Sequence, residues 1–149
     1  MKLAIGCDEA GFDLKQELMK FLRDKNVAFD DLGCYSKDPV LYPEIAEKLA
    51  LAVSEGKYER GILICGTGIG MAITANKIPG IRAACCHDPY SAERSRKSNN
   101  AQIMTLGARV VGVELAKSLV EIWLNSEFEG GRSLPKVEKL NEIDIKYRR

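Results

Sequence analysis

Apolar and polar residues follow two periods along this chain, one typical of strands and one typical of helices. Short apolar runs bounded by glycine, cysteine or polar residues predict strands. These strands cover residues 2–6, 27–32, 61–65, 81–86 and 103–106. Apolar residues three or four positions apart predict helices over residues 14–24, 43–55, 71–78, 88–98, 113–123 and 137–147. Strands that alternate with helices indicate an α/β domain whose parallel sheet is covered on both faces.

The composition indicates one globular domain, and we expect residues 1–149 to form it. Hydrophobic residues make up 46% and charged residues 29%, which are ordinary values for a soluble protein. The net charge is +1, and the basic run at residues 146–149 is better explained as a solvated helix end than as a nucleic-acid contact. No apolar run approaches membrane-spanning length, and the first residues lack the apolar segment of a signal peptide. We therefore expect a cytoplasmic protein with neither nucleic-acid nor membrane partners.

The five cysteines indicate reduced thiols. Their number is odd and no CxxC pair is present, so neither a disulfide framework nor a zinc site is indicated. Cys7, Cys85 and Cys86 lie in strand-like runs, and we expect all three in the core.

Residues 61–76 combine a predicted strand, a glycine-rich turn and a predicted helix. Cys65 ends the strand, and Gly66, Gly68 and Gly70 follow at alternate positions. Glycines let the backbone turn sharply and bring successive NH groups close to a ligand. At a helix N-terminus these NH groups and the helix dipole bind anions and favour a cysteine as thiolate. The stretch therefore predicts a base or nucleophile beside an anion-binding turn.

Other interpretations of this turn fit less well. The GxGxxG fingerprint of dinucleotide-binding folds would place its last glycine at position 71, which is methionine, and the turn follows the third strand rather than the first. No Lys-Ser or Lys-Thr pair closes the turn, as a P-loop would require. A purely structural turn with Cys65 as an inert packing residue stays open as an alternative.

Ligands of open α/β sheets bind beyond the carboxyl ends of the strands. By this rule Asp8, residues 65–70, His87 and residues 107–109 gather at one edge. Asp8 is suited to cap the following helix, to orient a substrate hydroxyl, or to do both. His87, the only histidine, is interpreted as a surface-loop residue rather than a catalytic one. The convergence predicts a single site.

The sequence resembles the ribose-5-phosphate isomerase B and galactose-6-phosphate isomerase family over nearly its whole length. The matching stretches are IGCDEAGFDLK (5–15), ILICGTGIGMAITANK (62–77), PGIRAACCHDPYSAERSR (79–96), GARVVGVELA (107–116) and FEGGR (128–132). The resemblance implies a three-layer Rossmann-like fold with a five-stranded parallel sheet, in a homodimer or a dimer of dimers with the site at the interface. It implies interconversion of a phosphorylated aldose and ketose without metal or organic cofactor.

The resemblance also assigns roles to residues at the glycine turn. Cys65 matches the base that moves a proton between C1 and C2, and Thr67 matches a residue that assists ring opening. The anion hole that stabilises the enediolate corresponds to the rest of the turn, Gly66, Gly68, Ile69 and Gly70.

Further matches are implied outside the turn. Asp8 matches a contact to a substrate hydroxyl, and Asn99 matches an asparagine contributed across the dimer interface. Arg109, Arg132 and Lys136 match positions that hold phosphate, with Lys136 replacing a common arginine. By spacing alone, Arg132 and Lys136 fit surface cations as well as a phosphate pair.

Two departures from the family concern the substrate. Glu9 and Ser98 each stand where the ribose-phosphate isomerases usually carry histidine, and the histidine at position 98 is the acid that opens the furanose ring. Leu41 replaces a usual acidic residue. A tetrose 4-phosphate cannot close a furanose ring, so a tetrose-phosphate isomerase is an alternative to a ribose-5-phosphate isomerase. In the latter case His87, or Thr67 with water, would open the ring.

Two further classes stay open. Some members of the family act only in pairs, so a non-catalytic sugar-phosphate-binding subunit is possible, although Cys65 argues against it. A nicotinamide oxidoreductase is the more distant alternative.

Overall fold

The computed structural model describes residues 1–148 and contains one sheet of five parallel strands, which confirms the predicted α/β class. The strands are β1 (Leu3–Cys7), β2 (Phe29–Asp31), β3 (Arg60–Cys65), β4 (Ala83–Cys85) and β5 (Ile103–Gly107). Their order across the sheet is β2-β1-β3-β5-β4, so β3 lies at the centre and β2 and β4 lie at the edges. Arg149, the last residue of the basic run that was predicted to end a helix, lies outside the described residues.

Helices cover both faces of the sheet. They are α1 (Phe12–Asp24), α2 (Tyr42–Ser54), α3 (Ile69–Ala75), α4 (Pro89–Lys97), α5 (Val113–Leu124) and α6 (Leu134–Lys146), with 3₁₀ turns at Glu9–Gly11 and Gly131–Ser133. Successive residues of a strand face opposite sides, so alternate residues of β3 enter two different clusters. Ile62 and Ile64 pack with α1 and α5, whereas Leu63 and Cys65 pack with α2 and α3. Cys65 therefore reaches the side on which the glycine turn continues.

The two edge strands are shorter than predicted. The sequence predicts strands over residues 27–32 and 81–86, but only three residues of each segment pair with a neighbouring strand. An edge strand is paired on one side only, so its length depends on its neighbour's register rather than on its own apolar run. The predicted core position of Cys85 is wrong for the same reason: this residue is exposed at the edge, whereas Cys7 and Cys86 are buried as expected.

Helix ends also differ from the prediction. α6 begins at Leu134, three residues earlier than predicted, with a proline in its first turn where no NH is needed. α3 ends at Ala75, before the Pro79-Gly80 pair. Within residues 1–148, no helix is long and apolar enough to cross a membrane.

Candidate active site

Backbone hydrogen bonds join three strand ends into one edge. The NH of Asp8, after β1, donates to the carbonyl of Ile64 at 3.2 Å. Beyond β5, the NH of Ala108 donates to the carbonyl of Cys65 at 2.9 Å, and that of Arg109 to the carbonyl of Gly66 at 3.0 Å. The convergence expected from parallel topology is therefore built by the backbone itself, around the end of the central strand.

A cavity of about 400 Å³ opens at this edge. Its lining is Asp8, Tyr42, Cys65, Gly66, Thr67, Ile69, Gly70, Ile73 and Arg109. A volume of this size suits a small sugar phosphate rather than a dinucleotide.

Cys65 lies at the floor of this cavity and is 5% exposed. Its Sγ accepts a hydrogen bond from the NH of Gly68 at 3.2 Å. Gly66 and Thr67 follow Cys65 in the cavity lining, and within residues 1–148 their NH groups donate to no protein acceptor. One turn therefore presents a sulfur atom that already accepts a hydrogen bond and two further NH groups that are available to a ligand.

The glycines of the turn are required by close contacts. Gly68 has φ +77°, and a Cβ there would lie 2.8 Å from the carbonyl carbon of Leu106. A Cβ on Gly70 would lie 2.4 Å from the ring of Tyr42. Only glycine permits both the left-handed backbone and this approach to the aromatic ring.

Tyr42 is a cavity residue that the sequence reasoning missed. It begins α2, more than twenty positions before Cys65 along the chain, and its ring packs on Gly70. The Tyr42-Pro43 pair at a helix start was the available signal, because it fixes the direction in which the first side chain leaves the helix. The sequence gives no distance between that helix and the glycine turn.

Asp8 caps the first 3₁₀ turn, as predicted. Its Oδ1 accepts hydrogen bonds from the NH groups of Ala10 at 3.0 Å and Gly11 at 3.2 Å. Burial raises the pKa of the Asp8 carboxyl, and the two NH groups oppose this rise. Both bonds use one oxygen, and Asp8 lines the cavity, so Oδ2 of Asp8 stays available for a substrate hydroxyl.

Glu9 is absent from the cavity lining and contacts the loop that precedes α2. Its Oε2 accepts a hydrogen bond from the NH of Val40 at 3.1 Å, and this bond lowers the pKa of Glu9. Arg109 lines the cavity, with Nη1 3.2 Å from the position of a Cβ on Gly66. The guanidinium is exposed, so it is available to an anion.

His87 is half-buried behind the turn rather than on a free surface loop. Its Nε2 accepts a hydrogen bond from the NH of Gly107 at 2.9 Å and lies 3.7 Å from Sγ of Cys85. His87 is absent from the cavity lining. The structure therefore gives this histidine a role in holding β5 beside β4.

Besides Glu9, four predicted site residues lie outside the cavity of the single chain. Ser98 follows α4, and its Oγ accepts a hydrogen bond from Nε of Arg94 at 2.8 Å. Asn99 is exposed and lines a separate cleft between β4 and α6. Arg132 and Lys136 are exposed on the second 3₁₀ turn and the first turn of α6. Asp8, Cys65, residues 66–70 and Arg109 are thus brought together, whereas these four are not.

No cluster of three histidine, cysteine, aspartate or glutamate residues suited to a metal ion occurs among residues 1–148. All five cysteines are free thiols.

The family model for Ribose/Galactose Isomerase matches residues 3–140. The chain belongs to this family. It is 63% identical over 148 residues to the ribose-5-P isomerase B of Listeria innocua serovar 6a, covering 99% of this chain and 100% of the relative. It is 56% identical over 144 residues to the D-erythrulose-4-phosphate isomerase of Pectobacterium atrosepticum, covering 94% and 93%. The structure of ribose-5-phosphate isomerase B from Clostridium thermocellum matches with a TM-score of 0.97 at 47% identity, over 99% of this chain and 100% of that one.

These relatives confirm the resemblance seen in the sequence and the Rossmann-like architecture. The protein is an enzyme, an aldose–ketose isomerase of sugar phosphates. A nicotinamide-dependent oxidoreductase is thereby set aside.

Proposed function

We propose that the protein interconverts ribose 5-phosphate and ribulose 5-phosphate through an enediolate, with Cys65 as the base. The observation that carries this proposal is the position of Cys65 on the cavity floor, next to the unpaired NH groups of Gly66 and Thr67. The ribose-5-P isomerase B at 63% identity supports the choice of substrate.

The chemistry needs one base and one set of donors. The Cys65 thiolate takes the proton from C2 of the aldose and returns it to C1, while the hydroxyl proton moves from O2 to O1. Negative charge develops on the oxygens between these steps, and fixed NH donors at the turn stabilise it. Thr67, exposed in the cavity, assists in opening the ring, and Asp8 accepts a hydrogen bond from a substrate hydroxyl.

Phosphate is held by Arg109, Arg132 and Lys136, and Asn99 reaches the site from a second subunit of a homodimer or dimer of dimers. The supporting observation is that Asn99, Arg132 and Lys136 are exposed and lie outside the cavity of their own chain. Exposed apolar side chains near the cavity also support an interface: Leu41 is 68% exposed and Ile73 58%. A second copy would supply the missing residues and cover these side chains.

Mixing two inactive variants tests this shared site. If Cys65 and Asn99 of one site come from different chains, a hybrid of Cys65→Ser and Asn99→Ala subunits contains one intact site. Statistical mixing then restores about a quarter of wild-type activity. Mixtures that stay as inactive as the separate variants, with exchange of subunits verified by mass, would contradict the shared site.

A tetrose-phosphate isomerase acting on erythrulose 4-phosphate and erythrose 4-phosphate is the second candidate. The observation that favours it concerns Ser98 and Glu9, which stand where the ribose-phosphate isomerases usually carry histidine: the side chain of each already accepts a hydrogen bond. The Ser98 hydroxyl, whose Oγ accepts from Arg94, is not an acid near neutral pH. The NH of Val40 lowers the pKa of Glu9 and favours its ionised form, so neither residue replaces the histidine that gives a proton to a ring oxygen. The erythrulose-4-phosphate isomerase at 56% identity is compatible with this alternative.

A panel of phosphorylated tetroses, pentoses and hexoses, assayed for aldose–ketose conversion, distinguishes these proposals. Ribose 5-phosphate as the best substrate by kcat/KM supports the main proposal, and erythrulose 4-phosphate as the best substrate supports the second. Ser98→His is the diagnostic variant, with Ser118→His on α5 as its matched control. A gain in pentose conversion by Ser98→His alone supports the tetrose alternative. Binding without exchange of the C2 proton in deuterated water would instead indicate a non-catalytic subunit.

We place this activity in the cytoplasm, because an odd number of cysteines without a CxxC pair is typical of a reducing compartment.

A further inference from the structure

Two buried thiols face each other in the core cluster on the α1 and α5 side of the sheet, the side opposite to Cys65. Sγ of Cys7, at the end of β1, lies 3.8 Å from Sγ of Cys34, in the loop after β2. Cys7 is 0% exposed and Cys34 is 6% exposed. The isomerase chemistry uses neither thiol, and 27 positions separate them along the chain.

The backbone holds these two residues as neighbours. The NH of Cys34 donates to the carbonyl of Cys7 at 2.8 Å, and the NH of Cys7 donates to the carbonyl of Gly33 at 2.7 Å. Strand-like bonds of this kind keep facing Cα atoms about 5 Å apart, within the range that a disulfide spans. The two sulfur atoms then need to approach by less than about 2 Å to reach bonding distance.

A buried cation lies beside the pair. Nζ of Lys15 is fully buried, donates to Oδ1 of Asp31 at 2.7 Å and also donates to the carbonyl of Cys34. Burial raises the pKa of the Cys7 thiol to about 12, and the charge of Lys15 acts in the opposite direction. This ammonium group partly offsets the effect of burial and stabilises negative charge that develops on the Cys7 sulfur as its proton leaves.

We propose that Cys7 and Cys34 form a reversible disulfide when the protein meets a peroxide. Cys34 reacts first, because its loop is the more open side: its neighbour Tyr35 is 69% exposed. The Cys34 thiol attacks a peroxide oxygen, the O–O bond breaks, and the departing hydroxide takes the thiol proton, so that a sulfenic acid and water form. The Cys7 thiol then attacks that sulfur, the S–O bond breaks, and the leaving hydroxide takes the Cys7 proton to become a second water. Two thiols lose two protons and two electrons in total, and one hydrogen peroxide is reduced to two waters.

The bond would connect the two segments that supply Asp8 and Tyr42 to the cavity lining. Cys7 is followed directly by Asp8, and the loop that begins at Cys34 leads to Tyr42 at the start of α2. The Glu9–Val40 hydrogen bond already joins these segments. Drawing the sulfur atoms together displaces Asp8 relative to Tyr42, so oxidation changes substrate binding.

Peptide mapping tests the bond itself, independently of any activity. The full chain carrying Cys65→Ser and Cys85→Ser is treated with hydrogen peroxide, blocked with an alkylating agent and cleaved with trypsin without reduction. The two cysteines lie on different tryptic peptides, residues 3–15 and 26–37, and Cys86 lies on a third, residues 83–94. We expect the first two peptides linked with the loss of two hydrogens. Linkage of either one to residues 83–94, or no linkage at peroxide doses that oxidise free cysteine, would overturn the proposal.

Separate measurement of KM and kcat tests whether the Cys7–Cys34 bond changes substrate binding. Oxidation of Cys65 removes active enzyme and lowers kcat, whereas the Cys7–Cys34 bond reshapes the cavity and raises KM. In Cys85→Ser protein we expect peroxide to raise KM about tenfold for the better of ribose 5-phosphate and erythrulose 4-phosphate, and dithiothreitol to restore it. The matched control carries Cys34→Ala in addition, with Cys7→Ala as the second variant. An equal rise in KM in both controls would refute the proposed link to the cavity.

Discussion

Replacing Cys65 by serine removes the proposed base with the smallest change in shape. A serine hydroxyl is of nearly the same size and accepts the NH of Gly68 that now donates to Sγ at 3.2 Å. It is not a base near neutral pH. General acid–base catalysis contributes about 10²- to 10⁴-fold to rate, so we expect kcat to fall by that factor, equivalent to about 3–5 kcal/mol in activation free energy.

The fold should tolerate this change. The side chain at position 65 is 5% exposed, so the variant buries a hydroxyl group with one hydrogen-bond partner. That costs about 1–2 kcal/mol of a typical unfolding free energy of about 5–15 kcal/mol. Urea unfolding of the purified variant measures this cost, and KM should change much less than kcat.

The assay follows both isomerisation and exchange of the C2 proton with deuterated solvent. Cys85→Ser is the matched control, because Cys85 is an exposed thiol on the other side of Gly68. We expect the control to keep its activity while Cys65→Ser loses both conversion and exchange. A Cys65→Ser enzyme that keeps more than about a tenth of wild-type kcat would refute the assignment of Cys65 as the base.

Three further substitutions test the glycine turn, the last helix and the binding of phosphate. Gly68→Ala places a Cβ 2.8 Å from the carbonyl carbon of Leu106 at a residue with φ +77°, so we expect the free energy of unfolding in urea to fall by about 3 kcal/mol. Gly80→Ala is the control, because Gly80 has φ +81° but open space around it, and we expect a fall of about 1 kcal/mol. The NH of Gly80 lowers the pKa of Asp144, so this carboxylate stabilises the fold above pH about 4 and loses that contribution as the pH falls through its lowered pKa. The stability difference between wild type and Asp144→Asn, at most about 1 kcal/mol, should therefore shrink from pH 7 to pH 3; a constant difference would contradict the titration. Lys136→Arg restores a bidentate donor and should lower KM about fivefold with kcat unchanged; an unchanged KM would separate residue 136 from the phosphate.

Much of the fold followed from local pattern. β1, β3 and β5 are fully buried, and such strands appear in a sequence as continuous apolar runs because both faces are covered by helices. The glycine turn could also be predicted from the sequence, because close contacts at Gly68 and Gly70 exclude other residues. The stretches that resemble the isomerase family include this same turn.

What only the tertiary structure decided concerns neighbours that are distant along the chain. The strand order puts β4 at an edge, and this exposes Cys85 although its sequence context is apolar. Tyr42 reaches the cavity because α2 packs beside α3, and Cys34 meets Cys7 because the loop after β2 hydrogen-bonds to the end of β1. Hydrophobic periodicity records which face of an element is buried, but each such face fits many partners. The choice among partners depends on packing between elements, which a local pattern does not contain.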